Sequence, residues 1–344
     1  MLIHVVTGSR AEWGLLKPLV ERLRECLEVE IIATGSHLSP YHGSDLKDID
    51  PDYAVECQLA SDTPTGVCKG IALAIADLGE FWNGCDKPDA VLILGDRWEI
   101  LSAAIAAHVN RIPLIHIQGG ETTGNYDNAF RHSITHMAQL HFTACEQYRE
   151  RVIQLGAKPD TVFNVGALGC QGLTPRQGYK STNRLLVVYH PATLVDEDYV
   201  QLFAALSERK EKLIFIKANA DNGGVAINKA IDQFCKDYPR AESYLNLPRD
   251  EYLRLLANVD MIVGNSSSGI IEAPALGVPT VDIGARQKGR VRGKSVIWAE
   301  MEKEDILQCI RITPWASFDN PYGSGDVAGK IVRIIKSQLP KVSV

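Results

Sequence analysis

The sequence predicts two α/β domains, each a doubly wound parallel sheet, with a ligand groove between them. Short apolar runs without polar alternation point to strands covered on both faces. Amphipathic stretches separate those runs, as expected of parallel strands joined by helical crossovers. The pattern pauses once, at Gly166–Asn183, where Gly, Pro, Ser, Thr and Gln crowd together, and then begins again.

In the first half, Leu2–Val6 is an apolar run followed by Leu15, Leu16, Leu19, Val20 and Leu23, the spacing of one helix face. Further strands are expected at Val29–Ala33, Ala90–Leu94, Pro113–Ile117, His141–Ala144 and Val162–Val165. Helices are expected at Val67–Trp82, Leu101–Val109 and Gln147–Leu155, the last stopped by Gly156. After the pause come a strand at Leu185–Tyr189, a helix at Tyr199–Ser207 and a strand at Lys212–Lys217. Helices follow at Val225–Phe234 and Asp250–Leu256, then a strand at Met261–Val263, a helix at Ile270–Leu276 and a strand at Thr280–Ile283. The expected division is residues 1–168, an N-terminal domain carrying carboxylates, and residues 169–326, a C-terminal nucleotide-binding domain. The segment 327–344, with a helix at about Val327–Gln338, could belong to either domain, packing back on the N-terminal domain being one of the two options.

Two domains suit 344 residues. With 36 basic against 42 acidic residues the net charge is −6, which gives no electrostatic footprint for nucleic acid or an anionic membrane as partner. A content of 45% hydrophobic and 23% charged residues excludes a disordered chain. No apolar run approaches the roughly 20 residues of a membrane helix. Met1–Thr7 enters a strand without a basic leader, so a cytoplasmic protein is expected. Eight scattered cysteines form no CxxC pair and no Cys/His set at zinc spacing, so they are expected as free thiols, with no metal and no cofactor.

Ligands of open parallel sheets sit beyond the carboxyl ends of the strands, which makes the residues just after each run the candidates. Gly8-Ser9-Arg10-Ala11-Glu12 is either a phosphate-binding helix start with Arg10 at its mouth or a routine strand–helix turn. Gly95-Asp96-Arg97 aims a carboxylate into the groove or caps the next helix. His116-Ile117-Gln118-Gly119-Gly120-Glu121 ends another strand, and Asp127 and Arg131-His132 follow. Asp96, Glu121 and Asp127 converging near arginines would form proton-transfer machinery. His132 and His136 have metal-ligand spacing, but without a third ligand helix packing is the better reading.

In the second half, His190 ends a strand, where it could bind phosphate, donate a proton or cap backbone. Gly264-Asn265-Ser266-Ser267-Ser268-Gly269 opens a helix carrying Glu272. Its N–H groups and hydroxyls suit a nucleotide diphosphate, and Glu272 suits the ribose hydroxyls. In the basic stretch Gly284–Lys294, Lys288 and Lys294 are expected in solvent and Arg286 in the groove. Neither GxxxxGK[ST] nor GxGxxG occurs, which argues against an NTPase or a nicotinamide enzyme.

Together, GSRAEWGLLKPL, TGSHLSP, SDTP, GDRWE, HIQGGETT, RHSIT, FNVGALG, HP, GNSSSGIIEAPALGVPTVDIG and RQKGR resemble the hydrolysing UDP-N-acetylglucosamine 2-epimerases of bacterial sialic acid biosynthesis. The likeness is collinear from about residue 3 to about residue 300. It implies two Rossmann-like domains in a glycosyltransferase-B-like fold and conversion of UDP-GlcNAc and water to N-acetylmannosamine and UDP, without metal or nicotinamide. Non-hydrolysing relatives usually carry a GLRT-type stretch where this chain has GGETT, which puts it on the hydrolysing side. The resemblance puts Arg10, His190, Asn219, Ser266, Ser267 and Glu272 on the UDP moiety and Arg286 near the phosphates and sugar. Asp96 and Asp127 match acidic positions implicated in catalysis, and His37 and Arg131 match polar groove residues.

The catalytic set is then Asp96, Glu121, Asp127, Arg131 and His190, with Arg97, Gln118, Ser268 and Gly269 added to the substrate-binding residues. Some relatives have glutamate where Gln118 stands, so that role is either not needed or falls to Glu121. The short GETTGNYDNAFRH segment leaves open whether Asp127 or Asn128 faces the sugar. A homodimer or homotetramer is implied as well. Competing readings are the same reaction on UDP-N,N′-diacetylbacillosamine, a glycosyltransferase of the same fold class, and a non-catalytic nucleotide-sugar sensor.

Overall fold

The structure, a computed structural model, describes residues 1–38, 46–57, 63–178, 181–192, 194–195, 197–218, 223–245, 247–312, 319–323 and 325–341. The chain folds as two units. The N-terminal unit comprises Met1–Glu121, Asp127–Gln171 and Asp326–Val344, and the C-terminal unit comprises Thr122–Tyr126 and Gly172–Gly325. The chain therefore leaves the N-terminal unit for five residues, between Glu121 and Asp127, long before the main crossing at Gly172.

The strands of the N-terminal unit are β1 (Leu2–Thr7), β2 (Glu28–Ala33), β3 (Tyr53–Ala54), β4 (Ala90–Leu94), β5 (Leu114–Ile117), β6 (Leu140–Thr143) and β7 (Val162–Asn164). They form one parallel sheet in the order β3-β2-β1-β4-β5-β6-β7, reversing direction of travel between β1 and β4. Helices α1 (Arg10–Arg24), α2 (Leu46–Ile49), α3 (Pro64–Gly84), α4 (Trp98–Val109), α5 (Asp127–Met137) and α6 (Glu146–Gln154) lie between these strands in sequence. Alternate strand residues enter opposite layers, as a period of two requires. In β4, Ala90, Leu92 and Leu94 join the layer containing α1, whereas Val91 and Ile93 join the layer containing α4. Both faces are covered, which is why the interior strands are mainly apolar. Among their buried polar side chains, His4 in β1 accepts on Nδ1 from Trp82 Nε1 at 3.1 Å and holds Nε2 2.8 Å from Glu30.

The C-terminal unit carries β8 (Arg184–Val188), β9 (Lys212–Ile216), β10 (Ala241–Tyr244), β11 (Met261–Gly264), β12 (Thr280–Ile283) and β13 (Val296–Ala299). Its parallel order is β10-β9-β8-β11-β12-β13, with the reversal between β8 and β11. Its helices are α7 (Val200–Ser207), α8 (Gly224–Asp237), α9 (Arg249–Ala257), α10 (Ser267–Ile270), α11 (Glu272–Ala275) and α12 (Lys303–Ile312). The single helix expected at Ile270–Leu276 is instead two four-residue turns, α10 and α11. Pro274 has no N–H to offer the Ile270 carbonyl, so a continuous ladder cannot form there. The last helix, α13 (Val327–Gln338), returns to the N-terminal unit, where Val327, Ala328, Ile331, Val332 and Ile335 share a core with Leu16, Leu19 and Leu23 of α1. Among the described residues no helix is long and apolar enough to cross a membrane, and no group of three His, Cys, Asp or Glu could hold a metal ion.

Candidate active site

In the N-terminal unit most of the candidate residues gather after β1 and β4, which flank the reversal, and after the next strand, β5. Ser9 caps α1, its hydroxyl accepting from the Glu12 N–H at 3.4 Å, and Arg10 is the exposed first residue of the helix. Glu12 folds back to accept from the Gly8 N–H at 2.7 Å. Burial, reinforced by the nearby Glu99 carboxylate, pushes Glu12 up to about 8 against the opposing pull of Arg97 and the Gly8 and Ser9 N–H groups. Arg97 donates to Glu99 Oε1 through Nε at 3.2 Å and Nη2 at 3.1 Å. Glu12 Oε1 and Glu99 Oε2 are buried with no hydrogen-bond partner among the described residues.

The turn after β4 is held from two sides. Gly95 adopts a φ of +85°, which a residue with a Cβ adopts only with strain, and its carbonyl lies 2.9 Å from His116 Nε2. Burial pushes His116 down to about 4, so the ring is neutral, and its Nδ1 faces the Thr135 hydroxyl of α5 at 3.3 Å. Arg131, also on α5 and 2% exposed, donates Nη2 to Asp96 Oδ2; its Nη1 donates to the Glu121 carbonyl and to Asn128 Oδ1, both at 2.9 Å. One guanidinium thus ties Asp96 to the backbone of Glu121 and to the residue beside Asp127. Glu121 is buried, and Asp127 is half-buried in the first turn of α5. Gln118 adopts a left-handed φ of +65°, a strained state for a residue with a side chain, and donates its N–H to the Phe142 carbonyl at 2.8 Å. His37 is fully buried, its Nε2 3.0 Å from the Thr7 hydroxyl.

In the C-terminal unit the candidates surround the ends of β8, β11 and β12. Asn265, fully buried, accepts the His190 N–H on Oδ1 at 2.7 Å and returns Nδ2 to the His190 carbonyl at 2.8 Å. Its own carbonyl accepts from Arg286 Nη1 at 3.0 Å and Gln287 Nε2 at 2.8 Å. The Ser266 hydroxyl accepts from the Ser268 N–H at 3.3 Å, and Ser268 receives the Tyr252 hydroxyl at 2.7 Å. Gly269 lies against Thr280, whose hydroxyl donates to its carbonyl at 2.5 Å. Glu272 is buried, with Arg249 Nη1 3.7 Å from its Oε1. Glu197 accepts from the Tyr189 hydroxyl at 2.7 Å and the Ala285 N–H at 2.6 Å, which anchors the loop bearing Arg286. Farther along that loop Arg292 pairs with Asp282, whose burial pushes it up to about 6 despite the surrounding arginines. Lys288 and Lys294 are exposed. The same loop receives Thr122–Tyr126: Gly124 donates to the Arg286 carbonyl at 3.0 Å and Thr122 to that of Gly289 at 3.0 Å.

Among the residues singled out from sequence, Asp96, Glu121 and Arg131 meet in one network with Asn128, next to Asp127. His190 and Arg286 meet through Asn265, and Asn219 lies outside the described residues. Sequence reasoning passed over Asn265, Glu197, Glu99 and His116 as partners of the site. A polar residue at the end of an apolar run was the available signal for Asn265 and His116. Which backbone each would hold depends on strand order.

The family described as UDP-N-acetylglucosamine 2-epimerase matches residues 21–336. The polysialic acid biosynthesis protein P7 of Escherichia coli is 39% identical, over 97% of this chain and 93% of that protein. The GDP/UDP-N,N′-diacetylbacillosamine 2-epimerase (hydrolyzing) of Campylobacter jejuni is 38% identical, over 88% of this chain and 85% of that protein. In shape, the solved UDP-GlcNAc 2-epimerase of Methanocaldococcus jannaschii, in complex with UDP-GlcNAc and UDP, superposes with a TM-score of 0.82. That match covers 98% of this chain and 100% of that chain at 18% identity, so it speaks for the fold alone, two Rossmann-like halves of glycosyltransferase-B-like type. With the family matched over nearly its whole length and relatives this similar, the chain belongs to the UDP-N-acetylglucosamine 2-epimerase family.

Proposed function

We propose that this protein is a hydrolysing UDP-sugar 2-epimerase that converts UDP-GlcNAc and water to N-acetylmannosamine and UDP. The observation that carries the chemistry is the Asp96–Arg131 pair, with Arg131 also holding the Glu121 carbonyl and Asn128. The C2 proton of an amino sugar is not acidic enough to leave a bare carbanion. Anti elimination avoids one: a carboxylate takes the C2 proton while the C1–O bond breaks and UDP departs, giving 2-acetamidoglucal. Water then adds at C1 as a proton returns to C2 from the opposite face. We assign the proton transfers to Asp96, Glu121 and Asp127, oriented by Arg131. Charge develops on the departing pyrophosphate, and Arg10, His190, Arg286 and the Ser266–Ser268 turn are assigned to stabilise it. Glu272 and Asn219 are assigned to the nucleoside, and His37, Arg97, Gln118 and Gly269 to the rest of the substrate-binding set. Assembly as a homodimer or homotetramer belongs to the same reading.

Proton NMR with UDP-GlcNAc in D₂O tests the proposal. Release of UDP with N-acetylmannosamine deuterated at C2 is expected, and free N-acetylglucosamine with its C2 proton retained would overturn it. Asp96→Asn and Asp127→Asn should each lower kcat by about 10²-fold or more, the scale of a lost acid–base group. Near-normal turnover in both would remove the carboxylate assignment. A second substrate is favoured by the 38% identity to the C. jejuni protein named for N,N′-diacetylbacillosamine. Presenting both UDP-sugars at equal concentration and comparing kcat/KM decides between them.

A further inference from the structure

We propose that Asn265 is a positioning residue for nucleotide recognition, setting the His190 main chain and the Arg286 head group against one another. The assignment rests on the UDP-sugar reading and goes beyond it, since Asn265 touches no substrate in that scheme.

The argument starts from strand ends. β8 and β11 are parallel neighbours with Val188 opposite Gly264, and the Asn265 N–H continues their ladder to the Val188 carbonyl at 3.0 Å. Beyond that point β11 turns away into α10, and the His190 N–H and C=O lose their strand partner. The Asn265 carboxamide replaces it. Its Oδ1 and Nδ2 reproduce the acceptor and donor of a peptide, at 2.7 and 2.8 Å, with Asn265 sealed from solvent. A carboxamide offers both at this spacing and stays uncharged whatever the pH. The close approach needs Gly264, because a Cβ there would lie 2.1 Å from the Val188 carbonyl oxygen.

The second half of the device is the Asn265 carbonyl, which gathers Arg286 Nη1 and Gln287 Nε2 from the loop after β12. One residue therefore fixes a histidine from β8, an arginine from the β12 loop and, through the chain, the Ser266–Ser268 turn. Four hydrogen bonds at one buried residue, besides its ladder bond to Val188, exceed what holding β8 to β11 requires, since the ladder itself already does that. Their common product is the relative placement of two groups suited to a pyrophosphate.

The test is isothermal titration of UDP into wild type, Asn265→Ala, His190→Ala and the double variant, each shown to be folded by circular dichroism. Asn265→Ala should weaken UDP binding about 10-fold or more, the scale of buried hydrogen bonds lost. In the His190→Ala background the same change should cost less than about threefold, because two residues acting through one contact are not additive. Asn265→Ala with wild-type affinity, or two effects that simply multiply, would overturn the assignment, since a purely structural role shifts melting temperature and leaves the affinity of folded protein alone. If Asn265→Ala does not fold, Asn265→Asp is the variant to read. It keeps the acceptor for the His190 N–H but sets a carboxylate against the His190 carbonyl, and binding within twofold of wild type would equally overturn the proposal. Wild type that takes up no UDP would overturn the nucleotide-sugar reading and this assignment together, whereas binding wild type with an unaffected variant removes only the assignment.

Discussion

Glu12 and Glu99 both pack against Gly8, where a Cβ would lie 3.4 Å from Glu12 Oε2 and 3.2 Å from Glu99 Cβ. Two carboxyl groups in one dry pocket resist being charged together, and Glu12 is pushed up from 4.5 to about 8, first by burial and then by Glu99. A carboxyl whose folded value is raised binds its proton more tightly in the folded state. Its contribution to stability is complete below 4.5 and is lost as pH rises through 8. Wild type should therefore lose melting temperature between pH 6 and pH 9, and Glu12→Gln, which cannot ionise, should lose less by about 5 °C or more. Parallel melting curves for the two proteins across that range would sink the assignment. The sequence shows part of this arrangement, since Ser9-x-x-Glu12 is a capping-box pattern at a helix start. It does not show Glu99 behind Glu12, because that contact spans 87 residues and exists only once β1 and β4 are neighbours. Asn265 hides for the same reason: its carboxamide is informative only after β8 is known to lie beside β11.

Elements buried on both faces were legible, whereas of the four edge strands only β7 was. β1, β4, β5, β8, β11 and β12 are interior strands, and each lies in a mainly apolar run. The strands missed from sequence are β3, β10 and β13, all at sheet edges. Tyr53–Ala54 is two exposed residues, and Ala241–Tyr244 is half-exposed and polar, so neither needs the apolar run that betrays a strand. The same strand geometry separates glycines that look alike in sequence. At Gly264, φ is +139° and a Cβ would lie 2.1 Å from backbone, so Gly264→Ala must part β8 from β11. Gly79, inside α3, has nothing within 4 Å of the added methyl. In urea unfolding, Gly264→Ala should cost about 3 kcal/mol or more, whereas Gly79→Ala should gain up to about 1 kcal/mol from helix propensity. Equal effects from the two changes would mean that the strand ends can separate freely, against the packing described.

At the scale of the whole chain, the N-terminal unit is assembled from stretches that the C-terminal unit interrupts, and its last piece, α13, is made only after all of Gly172–Gly325. That piece is no appendage. Val327, Ile331 and Ile335 are fully buried in the layer that also holds Leu16, Leu19 and Leu23 of α1 and the inward residues of β1 and β4. Until α13 arrives, the apolar face of α1 has no cover, so the N-terminal sheet cannot reach its final stability during synthesis. Closing a contact this distant in sequence costs chain entropy that only a well-packed interface returns. A charge placed in that interface should therefore act on residues near the opposite end of the chain. Ile331→Asp puts an unpaired carboxylate among aliphatic side chains, and the expected cost is about 4 kcal/mol or more. Native-state hydrogen exchange locates the damage: amides of α13 and of α1, some 300 residues earlier by numbering, should lose protection together. Loss confined to α13 would show that α1 stands without it, and the N-terminal core would then be complete before the final helix is made.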